Sequence, residues 1–219
     1  MKKLLLLLLF FPIISISQDL PTYYAYSGWQ LSKFKECYYK LKCFNASSTL
    51  SSQGNSNYRV ENMGDLDTST AWVEGSVGYG IGESFMVKLR SYERFIQIFN
   101  GYQKSKKLWE QNSRVKTFKV YIVANGDHLL PLCFLVLENK MGSQSFRIFD
   151  AIREWEKETI PHVDPGVVGL ESNEYGRIAE DLTLMFEIYE VYKGERWSDV
   201  AISGVSEWDD GNGCLGNGR

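Results

Sequence analysis

The stretch Asn62–Gly82 combines acidic, aromatic and glycine residues in an order that is typical of a ligand-binding loop. Asp65 and Asp67 form an acidic turn with hydroxyl residues behind it, and Trp72 and Glu74 follow two positions apart. Four glycines then fall in the last eight residues, which is typical of backbone held in tight turns rather than in a helix or strand. Such a loop needs a rigid scaffold beneath it.

The acidic turn has two interpretations. The side chains of Asp65, Asp67 and Thr70 offer the oxygen ligands that Ca²⁺ takes in proteins, so these residues are a candidate structural calcium site. Alternatively, the two aspartates form an Asx-type turn in which they accept hydrogen bonds from their own backbone. No other cofactor is expected.

Trp72 and Glu74 also have two interpretations each. Trp72 is either a core residue at the start of a strand or a platform for a sugar ring. Glu74 is either an acceptor for sugar hydroxyls or an ion-pair partner of Arg114 or Lys104. The sequence leaves both choices open.

Two later segments have the same polar, turn-forming character, namely NGYQKS at Asn100–Ser105 and NSRVK at Asn112–Lys116. Tyr79 and Tyr102 lie in turn sequences, where an exposed aromatic face could stack on a sugar ring. The asparagines and the arginine of these segments either bind the ligand or cap the turns. The candidate ligand-binding residues are Trp72, Glu74, Tyr79, Asn100, Tyr102, Lys104, Asn112 and Arg114. Converging at one end of a sandwich, they would suit a sugar bearing hydroxyls and one acidic group.

Catalysis is the rival class of function. His128 and His162 are the two histidines, and neither belongs to a Gly-x-Ser-x-Gly or metal-ligand motif. Glu74 with Asp65 or Asp67 could form a carboxylate pair of the glycosidase type, which would make the protein a small secreted glycoside hydrolase. Because no site assembles from the sequence, we expect the protein not to be an enzyme.

The N-terminus predicts export. Residues 1–17 contain a charged start, an apolar run and a small-residue end, the pattern of a secretory signal peptide. No later apolar run is long enough to span a membrane, so we expect a periplasmic, cell-surface or secreted product. Removing Lys2 and Lys3 leaves 22 basic against 27 acidic residues, a balance that argues against nucleic acid as a partner.

The four cysteines predict two disulfides, since an exported chain matures in an oxidising compartment. Of the three possible pairings we favour a local bridge and a bridge from the C-terminal tail to a central strand. These are Cys37–Cys43 and Cys133–Cys214.

The scaffold is predicted to be all-β. Short alternating or apolar runs rich in aromatic and branched residues occupy 85–89, 95–99, 118–123, 132–137, 146–149, 182–191 and 200–205. One short helix is predicted at 150–159 and ends before Pro161, and 161–180 is read as a long loop. Residues 18–44 are aromatic without a period and are interpreted as an N-terminal appendage, one that packs against the sandwich or lines a ligand surface.

The ordered set of motifs resembles the discoidin-like (coagulation factor type C, galactose-binding-like) superfamily, and within it the glycan-binding domain named for the translocation domain of secreted NAD glycohydrolases. The motifs are Ala46–Leu50, Asp65–Gly75, Gly78–Glu83, Asn100–Ser105, Asn112–Lys116, Glu187–Gly194 and Asp199–Ser203. The resemblance implies a jelly-roll β-sandwich over residues 45–212, with a tail at 213–219, whose loops at one end bind a sugar without chemistry. It leaves no part of the chain for a NAD glycohydrolase catalytic domain.

The sequence departs from the family pattern at one position. Where the family often has a glutamate after Ile-Ser that helps complete a calcium site, Ile202 and Ser203 are followed by Gly204, with Glu207 three residues late. Calcium is therefore expected to bind weakly if it binds. The fold also leaves open an adhesion or assembly module with a protein partner.

Overall fold

The computed structural model describes residues 20–25, 37–40, 42–89, 95–124, 128–159 and 182–209. In this part the chain forms two β-sheets, three short helical segments and long connections. The strands are β1 (Thr22–Tyr24), β2 (Cys37–Lys40), β3 (Lys42–Phe44), β4 (Trp72–Val73), β5 (Ser84–Lys88), β6 (Phe95–Asn100), β7 (Arg114–Ala124), β8 (His128–Val136), β9 (Ser143–Phe146), β10 (Thr183–Tyr192) and β11 (Ala201–Asp209). The prediction of an all-β protein is confirmed.

The first sheet has six strands in the order β1-β8-β7-β10-β5-β3, and the second contains β2-β11-β6-β9, with β4 paired to β11. Strand β1 runs parallel to β8, and the other pairs within the two sheets are antiparallel. Strands adjacent in a sheet are mostly distant in sequence, as in a jelly roll. The two sheets enclose one main core.

The core forms because the inward positions of the strands are apolar. In β5, Phe85 and Val87 are buried while their neighbours are partly exposed, the period-two pattern of a strand with one face in the core. The rings of Phe85 and Phe186 stack with their centroids 5.3 Å apart, and Phe118 meets both edge-on. Each such fully buried ring contributes roughly 1.5–3 kcal/mol to folding.

Five connections emerge at the same end of the sandwich, which we call the loop end. Strands β3, β6, β8 and β10 finish there, and β5, β7, β9 and β11 begin there, as the pairings of Arg114 with Tyr192 and of Phe99 with Ser143 show. The connections of the loop end are residues 45–71, 74–83, 101–113, 137–142 and 193–200. The loop end therefore carries every predicted ligand-binding residue.

The helical segments are a 3-10 turn at Val60–Gly64, α1 at Lys106–Gln111 and α2 at Ile148–Thr159. Helix α2 confirms the helix predicted at 150–159. Helix α1 was not expected from the sequence. It begins at Ser105, whose hydroxyl accepts a hydrogen bond from the Leu108 backbone at 3.2 Å, an N-cap of the usual kind.

The described parts of the N-terminal segment 18–44 are strands of the two sheets, so the sandwich extends beyond the boundary predicted at residue 45. The tyrosine hydroxyl of Tyr23 donates a hydrogen bond of 2.6 Å to Glu154 of α2, which joins β1 to that helix. The predicted signal peptide, the long loop at 161–180 and the tail at 213–219 lie outside the described residues, as do His162 and Cys214.

Candidate functional site

Trp72 is a core residue and offers no face to a ligand. Its side chain is fully buried, its ring meets Phe85 edge-on at 5.4 Å, and its indole N–H donates to the Ser48 carbonyl at 3.0 Å. Of the two interpretations left open by the sequence, the core residue is the one the structure shows. A Trp is well suited to this position because its one polar atom finds a backbone partner.

Glu74 is also fully buried and holds the backbone together. One carboxylate oxygen accepts from the Val200 N–H at 3.1 Å, and the other accepts from both the backbone N–H and the hydroxyl of Ser76, at 2.8 and 2.9 Å. A Cβ on Gly80 would lie 2.7 Å from the Glu74 side chain, and Gly80 also has a φ of 62°, so only glycine fits there. Glu74 therefore fixes the base of the following loop and is not available to sugar hydroxyls.

The tip of that loop is apolar and exposed. Val77 is completely exposed, and Ile81 and Tyr79 are 64% and 36% exposed. The Lys193 ammonium lies 4.8 Å from the centre of the Tyr79 ring, within the range of a cation–π contact. Tyr79 is thus on the outer surface of the loop end, as its turn sequence predicts.

Asn100 and Arg114 are buried and join β6, α1 and β7. Asn100 exchanges two hydrogen bonds with the Val115 backbone, at 2.7 and 3.0 Å. The Arg114 guanidinium donates to the carbonyls of Trp109 and Asn112, both at 2.7 Å, and lies 4.3 Å above the Trp109 ring. These two side chains therefore hold the loop in place rather than bind a ligand.

Burial lowers the pKa of Arg114 from its ordinary value, with Glu195 and Glu110 acting in the opposite sense. An arginine remains protonated despite such a shift, and the carbonyl oxygens of Trp109 and Asn112 stabilise its charge by accepting hydrogen bonds. Arg114 forms no ion pair with Glu74, contrary to one of the two interpretations of the sequence.

A small cavity at the loop end brings together side chains from three of its connections and from strand β4. It has a volume of about 90 Å³. Its lining residues are Leu50, Gln53, Tyr58, Val73, Tyr102, Leu108, Asn112, Trp197 and Asp199. Of the eight predicted ligand-binding residues, Tyr102 and Asn112 line the cavity and the other six do not.

Tyr102 is 9% exposed, so it is a wall of the cavity and not the free aromatic that its turn sequence predicts. Burial raises the pKa of its hydroxyl, and the neighbouring Tyr58 raises it further. Asn112 donates from its side-chain amide to the Leu108 carbonyl at 2.8 Å, which caps the end of α1. Lys104 is exposed beside the cavity and is close enough to Asp67 to lower the pKa of that carboxyl, after the larger effect of hydrogen bonds from Ser69.

Seven of the nine lining residues were not assigned to the site from the sequence, and Tyr58, Trp197 and Asp199 are three of them. Tyr58 lies in a polar stretch without pattern. The other two form an aromatic-x-acid step directly before β11, a placement that resembles Trp72 and Glu74 and would have been a usable signal.

The acidic turn is organised by its own hydrogen bonds. Asp65 accepts from the Asp67 N–H at 2.7 Å and from the Thr70 hydroxyl at 2.8 Å, and Asp67 accepts from the Ser69 N–H at 2.8 Å. This is the Asx-type arrangement. Within the described residues, no group of three or more acidic, histidine or cysteine side chains is placed to hold a metal ion.

The predicted disulfides are wrong for the pairs Cys37–Cys43 and Cys133–Cys214, because Cys43 and Cys133 are free thiols. Both side chains face the core of the six-stranded sheet and pack there as small apolar groups. Burial raises the pKa of both thiols, that of Cys43 to about 12.

His128 begins β8, far from the cavity in the fold, and its side chain lies outside what the structure describes. Among the described residues no helix has both the length and the apolar character that crossing a bilayer requires.

Two face-to-face sheets with jelly-roll strand order, and a cavity where their connections meet at one end, define a discoidin-like β-sandwich. A family model described as the NAD glycohydrolase translocation F5/8 type C domain matches residues 37–207. The chain belongs to this family.

Solved structures similar to this chain include carbohydrate-binding modules. CBM32-3 from a family 31 glycoside hydrolase of Clostridium perfringens is 14% identical, with a TM-score of 0.43, over 78% of this chain and 91% of the other. The family 32 module of NanJ from the same organism, in complex with galactose, is 10% identical with a TM-score of 0.45, over 80% and 100%. The module of EndoD from Streptococcus pneumoniae is 7% identical with a TM-score of 0.45, over 80% and 99%. No curated protein matches the chain.

Proposed function

We propose that this chain is an exported, non-catalytic module that binds a carbohydrate in the cavity of the loop end. The observation that carries the proposal is the composition of that cavity, in which aromatic walls and hydrogen-bonding side chains lie together in a concave site. Three rings, those of Tyr58, Tyr102 and Trp197, are combined with an amide and a carboxylate from Gln53 and Asp199. Aromatic faces pack against the C–H faces of sugars, and carboxylates and amides bind hydroxyls.

The polar groups of the cavity have hydrogen-bonding capacity to spare. Across the part of the chain that the structure describes, the side chains of Gln53, Tyr58, Trp197 and Asp199 make no hydrogen bond to protein. The hydroxyl of Tyr102 is likewise without a protein partner although its ring is buried. Gln53 is exposed, whereas the other four side chains are at least partly buried and gain from a ligand that completes their hydrogen bonds.

The walls of the cavity are held rigidly, which lowers the entropic cost of binding. Ser113 ties them together, because its hydroxyl donates to the Trp197 carbonyl at 3.1 Å and its N–H donates to the Asp199 carbonyl at 3.1 Å. The Trp197 N–H in turn donates to the Gln111 carbonyl at 2.9 Å, at the end of α1. A binding site supported in this way by backbone contacts is preorganised for its ligand.

The carboxyl groups of the same cavity support the proposal that the module is not an enzyme. Asp199 is the one ionisable carboxyl among its lining residues, whereas most glycoside hydrolases use two. The predicted carboxylate pair does not assemble, since Glu74 is occupied by Val200 and Ser76. Export is supported by the N-terminal sequence.

Binding of the mature chain to a glycan array, followed by titration of the best ligand, tests the proposal. Trp197→Ala should weaken binding by about tenfold, corresponding to roughly 1.4 kcal/mol of lost ring contact. The matched control is Tyr79→Ala, which removes an aromatic side chain from the same end of the sandwich but outside the cavity, and should leave the affinity unchanged. If Tyr79→Ala abolishes binding while Trp197→Ala has no effect, the ligand site is the loop tip and not the cavity.

A second candidate is an adhesion module with a protein partner, and the exposed apolar side chains of Val77 and Ile81 favour it. A Val77→Asp, Ile81→Asp double variant distinguishes the two functions. It should retain sugar binding if the cavity is the site, and should lose attachment to a protein partner if the loop tip is.

A further inference from the structure

The cavity carries a negative charge in addition to its aromatic walls. Asp199 is the one charged side chain among its lining residues, and it is half-buried. Two hydrogen bonds fix its backbone. The Ser113 N–H donates to the Asp199 carbonyl, and the N–H of the next residue, Val200, donates to the Glu74 carboxylate. No ion pair or hydrogen bond engages the Asp199 carboxylate within the described residues.

The nearby cations lie outside the cavity lining. Arg114 is buried and directs its guanidinium to backbone carbonyls and to Asn139. Lys106 pairs with Glu110 on the exposed side of α1. Arg196 packs over the Trp197 ring with its guanidinium carbon 4.8 Å from the ring centre, and is exposed. None of these side chains lines the cavity, so its own charge is negative.

We propose that Asp199 makes the cavity selective for neutral pyranoses and excludes sugars that carry a carboxylate, an inference that rests on the proposed carbohydrate binding. A carboxylate accepts hydrogen bonds from two adjacent hydroxyls of a sugar, and charge-assisted bonds of this kind are stronger than neutral ones. A uronic or sialic acid would instead bring a second negative charge into a partly desolvated site, where like charges repel. Specificity then comes from a repulsive element as well as an attractive one.

The sequence placed the cationic Lys104 and Arg114 in the site, which would suit a sugar bearing hydroxyls and one acidic group. In the structure, the Arg114 guanidinium donates hydrogen bonds to backbone carbonyls, and Lys104 does not line the cavity. The only charge remaining inside has the opposite sign.

Matched pairs of methyl glycosides test the proposal, because galactose and galacturonic acid, and glucose and glucuronic acid, differ only at C6. Methyl N-acetylglucosaminide is a third neutral probe. Nuclear magnetic resonance titration of the mature chain should show at least one neutral glycoside binding about tenfold or more tightly than its uronide. Asp199→Asn should weaken binding of the neutral glycoside by about tenfold and reduce the preference over the uronide to less than about threefold.

The matched control is Asp150→Asn on α2, at the opposite end of the sandwich, which makes the same change in net charge and should keep the wild-type preference. Asp199→Ser is a second variant that also removes the charge, and melting curves of both variants verify folding. Equal binding of neutral and acidic probes by the wild type would overturn the inference, as would a preference that survives both substitutions of Asp199. If no probe of either kind binds, the proposed function fails, and this outcome is distinct from binding without selectivity.

Discussion

Replacing Glu74 with alanine should destabilise the domain strongly although the residue lies at the base of a surface loop. The substitution removes three hydrogen bonds, from the Val200 N–H and from the backbone and hydroxyl of Ser76. Val200 is fully buried, so its N–H would be left without a partner and without water, at a cost of about 1–3 kcal/mol. Adding the lost bonds of Ser76 gives a total of roughly 3–5 kcal/mol.

Urea denaturation followed by tryptophan fluorescence measures this change, and the midpoint should fall without a change in slope. In a thermal melt the same loss corresponds to about 6–20 °C for a domain of this size. Glu61→Ala is the control, because that glutamate is exposed on the 3-10 turn and should change stability by less than about 0.5 kcal/mol. A loss below about 1 kcal/mol for Glu74→Ala would refute the assignment of Glu74 as the residue that holds the loop.

Three further outcomes are expected. Trp72→Ala should cost roughly 3–5 kcal/mol in the same assay, since it removes a fully buried indole, and a loss near zero would contradict its core position. In the absence of reductant, Cys43 and Cys133 should not react with thiol reagents in the folded chain and should react once the chain is unfolded. Because burial raises both pKa values in the folded state, the contribution of the two thiols to stability should be constant up to about pH 8.5. Between about pH 8.5 and pH 10 stability should fall by about 1.4 kcal/mol per pH unit for each thiol, a slope that Cys43→Ala should halve. A chelator should change the melting temperature little, because Asp65 and Asp67 already accept hydrogen bonds from their own turn, and a shift above roughly 10 °C would show a structural calcium site.

The strands could be predicted from the sequence because their signal is local. The alternation of Phe85 and Val87 with more polar neighbours follows from one buried face, and so does the run that became β10. Helix α1 could not be predicted, since six residues are too few to show a helical period and Lys106 and Lys107 are exposed. Its stability comes from the Ser105 cap and the tertiary contacts of Trp109, rather than from its own composition.

The binding site was predicted less well than the fold, and the reason is the distance in sequence between its partners. Glu74 and Val200 are 126 positions apart, so nothing near Glu74 indicates that its carboxylate is already occupied. The same holds for Arg114, whose acceptors are backbone carbonyls that carry no side-chain signal. The sequence placed candidate residues in the 74–83 and 101–113 loops, whereas the cavity is lined from 45–71, 101–113 and 193–200. Which side chains within them point into the cavity depends on long-range packing.

The Gly75–Gly82 loop divides into an anchored base and an exposed tip, and this division makes it suitable as a display scaffold for protein engineering. The anchors are the Glu74 carboxylate, Ser76 and the glycine at position 80, none of which depends on the identity of the residues between them. Val77 and Tyr79 could be randomised in a library while Gly78, whose φ is 115°, is retained, and each new tip would leave the domain from the same rigid frame. Because the ends are already fixed, a grafted recognition sequence would lose less conformational entropy on binding than the same sequence in a free peptide.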